Sequence, residues 1–142
     1  MRHRKNKRVL SVFHNRQHDG NFRLISKLIG EDRIGKVTDI EVNALCHAEP
    51  TPGWYSDESR SGGILFTWGP HALDWIFRLL PGDPVAGVDS WRQKRSQLKA
   101  SIDNAQRVIL RFASGATAEL CQSFVDFFWS ERSPRIWVDL PG

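Results

Sequence analysis

His71 and Asp74 stand three residues apart, with Thr67 four before the histidine and Arg78 four after the aspartate. On a helix these spacings put all four side chains on one face. A histidine near a helix start can serve as general acid or base. Its ordinary pKa lies near neutrality, and the positive end of the helix dipole lowers it. Two quieter arrangements use the same residues: His71 bonding a loop carbonyl, and Asp74 pairing with Arg78. Just upstream, Gly62 and Gly63 lack a Cβ and let backbone approach a cleft closely. Before them, Trp54 and Tyr55 either line that cleft or cover a sheet edge. His14, His18, His47 and His71 with Cys46 invite a zinc reading, but their spacings match no finger or HExxH pattern. No metal is expected.

A helix must carry the chemistry-bearing face. Residues 70–80 read as that helix, with Pro70 at the first position, where its missing N–H is harmless. Leu73, Ile76, Phe77 and Leu80 form an i, i+3, i+4, i+7 stripe opposite the polar face. A turn extended back to Thr67 brings its hydroxyl to the His71 side. Pro81, Gly82 and Pro84 end the element.

The frame around it reads as strands and one further helix. RVLSVF, residues 8–13, is a short apolar strand. Asp19 caps a helix over 20–30 that buries Phe22, Ile25, Leu28 and Ile29. In KVTDIEVNAL, residues 36–45, Ile40, Val42 and Ala44 alternate with Asp39, Glu41 and Asn43, giving a strand with one wet face. Residues 47–63 form a long loop, of the length that is usually functional or mobile. Strands follow over 84–91, 106–112, 116–125 and 135–139, with a hairpin turn at Ser114-Gly115. Short turns between successive strands imply antiparallel pairing with helices packed on one face. The predicted class is α+β. Phe124, Phe127, Phe128 and Trp129 form an apolar run that is either core or, if exposed, an oligomer interface.

The totals narrow the function classes. The chain has 142 residues, 40% hydrophobic and 25% charged, with two cysteines in no CxxC spacing. That describes one globular domain without a disulfide framework. It shows no apolar run of membrane-spanning length and no signal-type leader, so a cytoplasmic location is expected and no membrane partner. The net charge of +4 comes from Arg2, Arg4, Lys5, Lys7 and Arg8, without which the rest carries −1. Such an arm can hold nucleic acid, but a solvated terminus is the commoner role, so nucleic acid is not the expected partner.

The segment SGGILFTWGPHALDWIFRLL resembles the Gly-Gly-Gly-x-Leu-x-Asp-x-Gly-x-His-x-x-Asp segment of the glucose–fructose oxidoreductase / inositol dehydrogenase / MocA family. SVFHNRQHDGNFRLISKLI is similar to that family's crossover out of its nucleotide domain: a strand, an Asn-Arg loop and a helix. EDRIGKVTDIEV resembles the start of its sheet, and VILRFASGATAELCQS its hairpin. The four occur in the family's order and cover nearly the whole chain.

The resemblance implies a division at residue 18. Residues 1–18 would be the end of a nucleotide-binding domain, and 19–142 part of a substrate and oligomerisation domain with fewer strands than the family's. It implies an NAD(P)-dependent oxidoreductase acting on a sugar or polyol-like small molecule, and a homo-oligomer formed through the sheet face. His71 and Thr67 fall at catalytic positions, while Asp74, Gly63 and Trp54 fall on the substrate side. Asn15 and Arg16 would contact the cofactor pyrophosphate, or else bond loop carbonyls. Three departures matter. The family's motif carboxylate is replaced by Thr67, which can hydrogen-bond but holds no charge at neutral pH. The chain has no GxGxxG and no Glu-Lys-Pro. NAD or NADP therefore belongs to the complete architecture, none is expected to bind this chain alone, and the chain alone is expected to be inactive. The alternative is a non-catalytic domain that binds a ligand or self-associates.

Overall fold

The computed structural model describes residues 9, 11–45, 53–94, 101–124 and, for the backbone alone, 134–139. KVTDIEVNAL forms β1, Lys36–Leu45. Four strands follow: β2 Val85–Gln93, β3 Ala105–Phe112, β4 Thr117–Ser123 and β5 Pro134–Asp139. All five lie in one sheet of order β2-β3-β4-β1-β5. The β2–β3, β3–β4 and β1–β5 pairs are antiparallel, whereas β1 and β4 run parallel. The expected α+β class and mostly antiparallel open sheet are therefore present. Ser114-Gly115 makes the turn between β3 and β4, where the Phe112 N–H donates to the Ala116 carbonyl at 2.9 Å.

Val108, Leu110 and Phe112 alternate inward on β3, as expected, and meet Ile40 and Val42 of β1 and Ala118 and Leu120 of β4 in one core. The polar face of β1 is drier than its alternation predicts. Asp39 and Glu41 are half-buried and Asn43 is buried. The strand is interior to the sheet, and the Asn43 amide finds the Glu41 carboxylate as its partner.

The helices pack on the core side. The first, α1, spans Gly20–Gly30, buries Phe22 and lays Ile25 and Ile29 against the core. Asp19 occupies its N-cap position without making the expected side-chain cap. Its carboxylate binds the Arg16 guanidinium at 3.1 Å instead. Of the expected loop over 47–63, the described part, from 53 on, holds a 3-10 turn, Trp54–Ser56, and a one-turn helix, α2, Glu58–Ser61. The Asp57 side chain caps α2 by accepting from the Ser59 N–H at 3.0 Å.

The long helix, α3, spans Leu65–Leu79 and begins five residues before its expected start. Pro70 thus sits inside it. An interior proline removes one backbone bond and crowds the residue before it. That residue is Gly69, whose missing Cβ relieves the crowding and lets the helix approach β4. A Cβ there would stand 2.6 Å from Leu65 Cδ1 and 3.3 Å from Gln122 Oε1. The buried stripe is Ala72, Trp75, Ile76 and Leu79, not the expected Leu73, Ile76, Phe77 and Leu80. The helix is rotated by one residue, about 100°. Trp75 sets this rotation: it is fully buried, its ring stacks on Phe22 at 5.6 Å, and Nε1 donates to the Arg16 carbonyl at 3.0 Å. Phe77 swings to the edge and meets Phe112.

The expected strand over 8–13 does not form in its described residues, 9 and 11–13. Val9, Val12 and Phe13 are exposed there. A strand needs a hydrogen-bonded neighbour, and this segment is not part of the sheet. Cys46, His47 and the run Phe127, Phe128 and Trp129 lie outside the described residues, while Phe124 is half-buried. No described helix is long and apolar enough to cross a membrane.

Candidate functional site

One flank of α3 faces the N-terminal segment. A 3-10 turn, Asn15–His18, lies against it, fastened by the Trp75 bond to Arg16. This turn brings the Asn-Arg pair to the helix that carries His71. The His14 ring stands 5.8 Å from that of His71, edge-on, and the Trp68 ring stands 6.2 Å away on the other side. Nδ1 of His14, Nδ1 of His71 and Nε1 of Trp68 are all buried without a hydrogen-bond partner among the described residues. Buried ring nitrogens seldom stay unmatched, and these three, one of them on His71 itself, gather where its ring meets those of His14 and Trp68.

The electrostatics favour a neutral His71. Burial lowers its pKa most, and the nearby charges of His14 and Arg16 push the same way. Asp74 and Asp19 pull it upward by less. Both carboxylates are already engaged. Asp74 accepts two bonds from Arg78 Nε, each at 3.0 Å, and Asp19 binds Arg16. The pairing of Asp74 with Arg78 is the quieter arrangement the spacing allowed. The His71 Nδ1 has no such partner, so the loop-carbonyl alternative is not realised at that atom.

Thr67 shares the helical face of His71 and Asp74, as its spacing requires. Its hydroxyl donates to the Ile64 carbonyl at 2.6 Å, so its hydrogen is committed to the backbone. It still offers lone pairs toward that face. Arg16 is half-exposed with one nitrogen held by Asp19, which leaves guanidinium donors for an anionic group.

Two other candidates stand apart. Gly63 borders a hollow on the opposite flank of α3, beside Asp103 and Arg92. Trp54 stacks on Tyr55, with ring centroids 3.8 Å apart, and both rings are exposed. The fold therefore unites His71, Asp74, Thr67 and the Asn15-Arg16 turn, and sets Gly63 apart from them. Spacing reasoning missed Trp68, although its position three before His71 was a usable signal. It also missed His14 as a neighbour of His71, for which the sequence carries no local cue. Among the described residues no three His, Cys, Asp or Glu side chains converge as metal ligands.

A family model described as the GFO/IDH/MocA C-terminal domain matches residues 22–139. The scyllo-inositol 2-dehydrogenase (NADP(+)) IolW of Bacillus subtilis is 31% identical over 88 residues, which cover 60% of this chain and 25% of that protein. The uncharacterized oxidoreductase YdgJ of Escherichia coli is 34% identical over 80 residues, 56% of this chain and 23% of that protein. The chain thus spans about a quarter of the length of these curated relatives. Two solved structures share its fold. An NAD-binding protein from Listeria innocua aligns with a TM-score of 0.79 at 20% identity, over 96% of this chain and 38% of its own. The WlbA dehydrogenase from Bordetella pertussis, solved in complex with NADH and UDP-GlcNAcA, aligns with a TM-score of 0.70 at 17% identity, over 87% of this chain and 39% of its own.

Proposed function

This chain belongs to the GFO/IDH/MocA family as a C-terminal domain, and from that premise we propose that it forms the substrate side of an NAD(P)-dependent oxidoreductase acting on a sugar or polyol. On this reading residues 1–18 close a nucleotide-binding domain and residues 19–142 face the substrate. The observation that carries the reading is His71: a neutral-leaning imidazole on the α3 flank, with a buried, unmatched Nδ1 and the Asn15-Arg16 turn beside it. A neutral imidazole accepts the proton of a substrate hydroxyl. A nicotinamide held in the complete enzyme would supply the hydride acceptor for the same carbon. Asn15 and the free donors of Arg16 suit its pyrophosphate. Thr67 accepts a hydrogen bond from a substrate hydroxyl, and Asp74 with Arg78 fixes the outer wall. The family resemblance puts Gly63 and Trp54 on the substrate side as well, although here both stand away from the His71 face.

The curated relative named for scyllo-inositol and NADP(+) supports a cyclic polyol as first substrate to try. The homo-oligomer that the family resemblance implies would use the outer sheet face. There Arg107 pairs with Glu119 at 2.6 Å and lies 5.3 Å over the Trp91 ring, and Arg111 pairs with Asp89. The test joins this chain to a nucleotide-binding domain and follows NAD(P)H formation from scyllo-inositol and related polyols. His71→Ala is expected to lower the rate about a hundredfold or more. Equal rates with and without His71 would sink the assignment. A second reading, a binding or self-associating domain without turnover, is favoured by Thr67 in place of a carboxylate. It expects polyol binding with no NAD(P)H formed, even after Thr67→Asp.

A further inference from the structure

The opposite flank of α3 carries a groove whose lining shares no residue with the ring around His71. Its floor is the Gly62-Gly63 turn at the start of α3, and its far wall is the edge strand β2 with β3 behind it. Its volume is about 400 Å³. Two side chains in it are more than nine-tenths buried yet incompletely matched. Asp103 is 7% exposed; its Oδ1 accepts from the Ile64 N–H at 3.1 Å, while Oδ2 has no partner among the described residues. Gln106 is 8% exposed, and its Nε2 is equally unmatched.

The space before them is kept open by Gly63. At its φ of 112° a side chain is strained, and a Cβ would stand 3.1 Å from Asp103 Oδ1 and 3.6 Å from Arg92 Nη1. The Phe66 ring forms the rim over Gly62 and is mostly exposed. The groove thus offers a carboxylate acceptor, an amide donor, the remaining donors of the Arg92 guanidinium, whose Nη1 binds Glu58 at 2.9 Å, the Ser90 hydroxyl, and an apolar strip of Val88 and Val108. An anion is repelled by Asp103, and a simple cation leaves the amide and guanidinium donors unused. A ring bearing several hydroxyls both donates and accepts, and its C–H face suits an aromatic rim.

We propose that this groove is a second ligand site, taking a neutral polyhydroxy compound such as a monosaccharide or cyclitol. It does not depend on hydride transfer at His71. The test titrates the 142-residue chain with myo-inositol and with D-glucose, each to about 100 mM, by amide NMR, since so small a ligand is expected to bind at about millimolar strength. Saturable shifts are expected at the Gln106 side-chain amide and at the backbone of Gly63, Ser90 and Asp103. Val88→Trp, at an exposed edge-strand position, fills the groove from outside and is expected to weaken binding at least about tenfold. Asp103→Asn keeps the acceptor for Ile64 and removes the free carboxylate oxygen, and is expected to weaken it at least about threefold. His71→Ala is expected to leave it unchanged. No saturable shift with either compound overturns the proposal. So do shifts that persist in both groove variants, or that centre on His14 and His71 and vanish with His71→Ala. In that last case the hydride-transfer reading stands while the second site falls.

Discussion

The two flanks of α3 are built from similar aromatic material and end up in opposite states. Toward α1, Trp68, Trp75 and Phe22 close ring on ring, and the unmatched atoms beside His71 are ring nitrogens. Toward β2, Phe66 stays mostly exposed, and the unmatched atoms lining the groove are an aspartate oxygen and a glutamine nitrogen. His71 and Phe66 lie five residues apart on the helix, about 140° around its axis. One helix thus separates the proposed proton-moving site from the proposed polyhydroxy groove. What divides them is the rotation imposed by Trp75.

The comparison breaks most sharply at Trp75. Trp75→Ala empties a fully buried position and removes the bond to Arg16, so unfolding in urea is expected to show a loss of about 3–5 kcal/mol. Phe66→Ala on the open flank is expected to cost under about 0.5 kcal/mol. Equal losses would mean that the flanks are not closed and open as described. Next in size is Thr67→Asp. A carboxylate one turn before His71 is expected to raise the imidazole pKa, read by NMR titration, and to raise turnover about tenfold or more in the two-domain enzyme. An unmoved pKa would place position 67 out of reach of the ring.

A smaller effect lies in the pH dependence of stability. Burial, His14 and Arg16 lower the folded-state pKa of His71. The unfolded chain therefore binds the extra proton first as pH falls through about 6.5. This component of stability is full above that value and is lost on acidification toward the lowered folded pKa. Urea midpoints at about pH 7.5 and 5.5 should converge in His71→Gln relative to the parent chain. The smallest effect is Arg78→Ala. It removes a half-exposed pair worth about 0.3–0.5 kcal/mol, yet frees the Asp74 carboxylate beside His71, so the imidazole pKa should rise while the melting curve scarcely moves.

Alternation made the strands legible, and β1 keeps its predicted bounds of 36 and 45, with Val37, Ile40 and Val42 meeting the same core while Ala44 stays half-buried. The α3 register was not legible. A count of Leu, Ile and Phe weights Leu73 and Phe77, whereas packing is decided by the largest ring and the closest approach, Trp75 and Gly69. Pro70 taken alone marks a helix start, and only together with its neighbour Gly69 does it fit a helix interior. At the site, the common face of Thr67, His71 and Asp74 followed from spacing alone. His14 beside His71 and Asp103 beside Ile64 are pairings between distant segments, and no local pattern announces them.

The single parallel pair of strands has a kinetic consequence. Asp39 of β1 pairs in register with Thr117 of β4, and their side chains bond across 78 residues of chain. The β3–β4 hairpin closes through one tight turn, so it forms early, on the microsecond scale of such hairpins. Strand β1 must instead search for a partner that is synthesised and ordered long after it. Closing so wide a loop precedes any reward from pairing, which places the completion of the sheet centre late and makes it the slow step of folding. Until then the inner edge of β4 and both edges of β1 stay open to pairing with other chains.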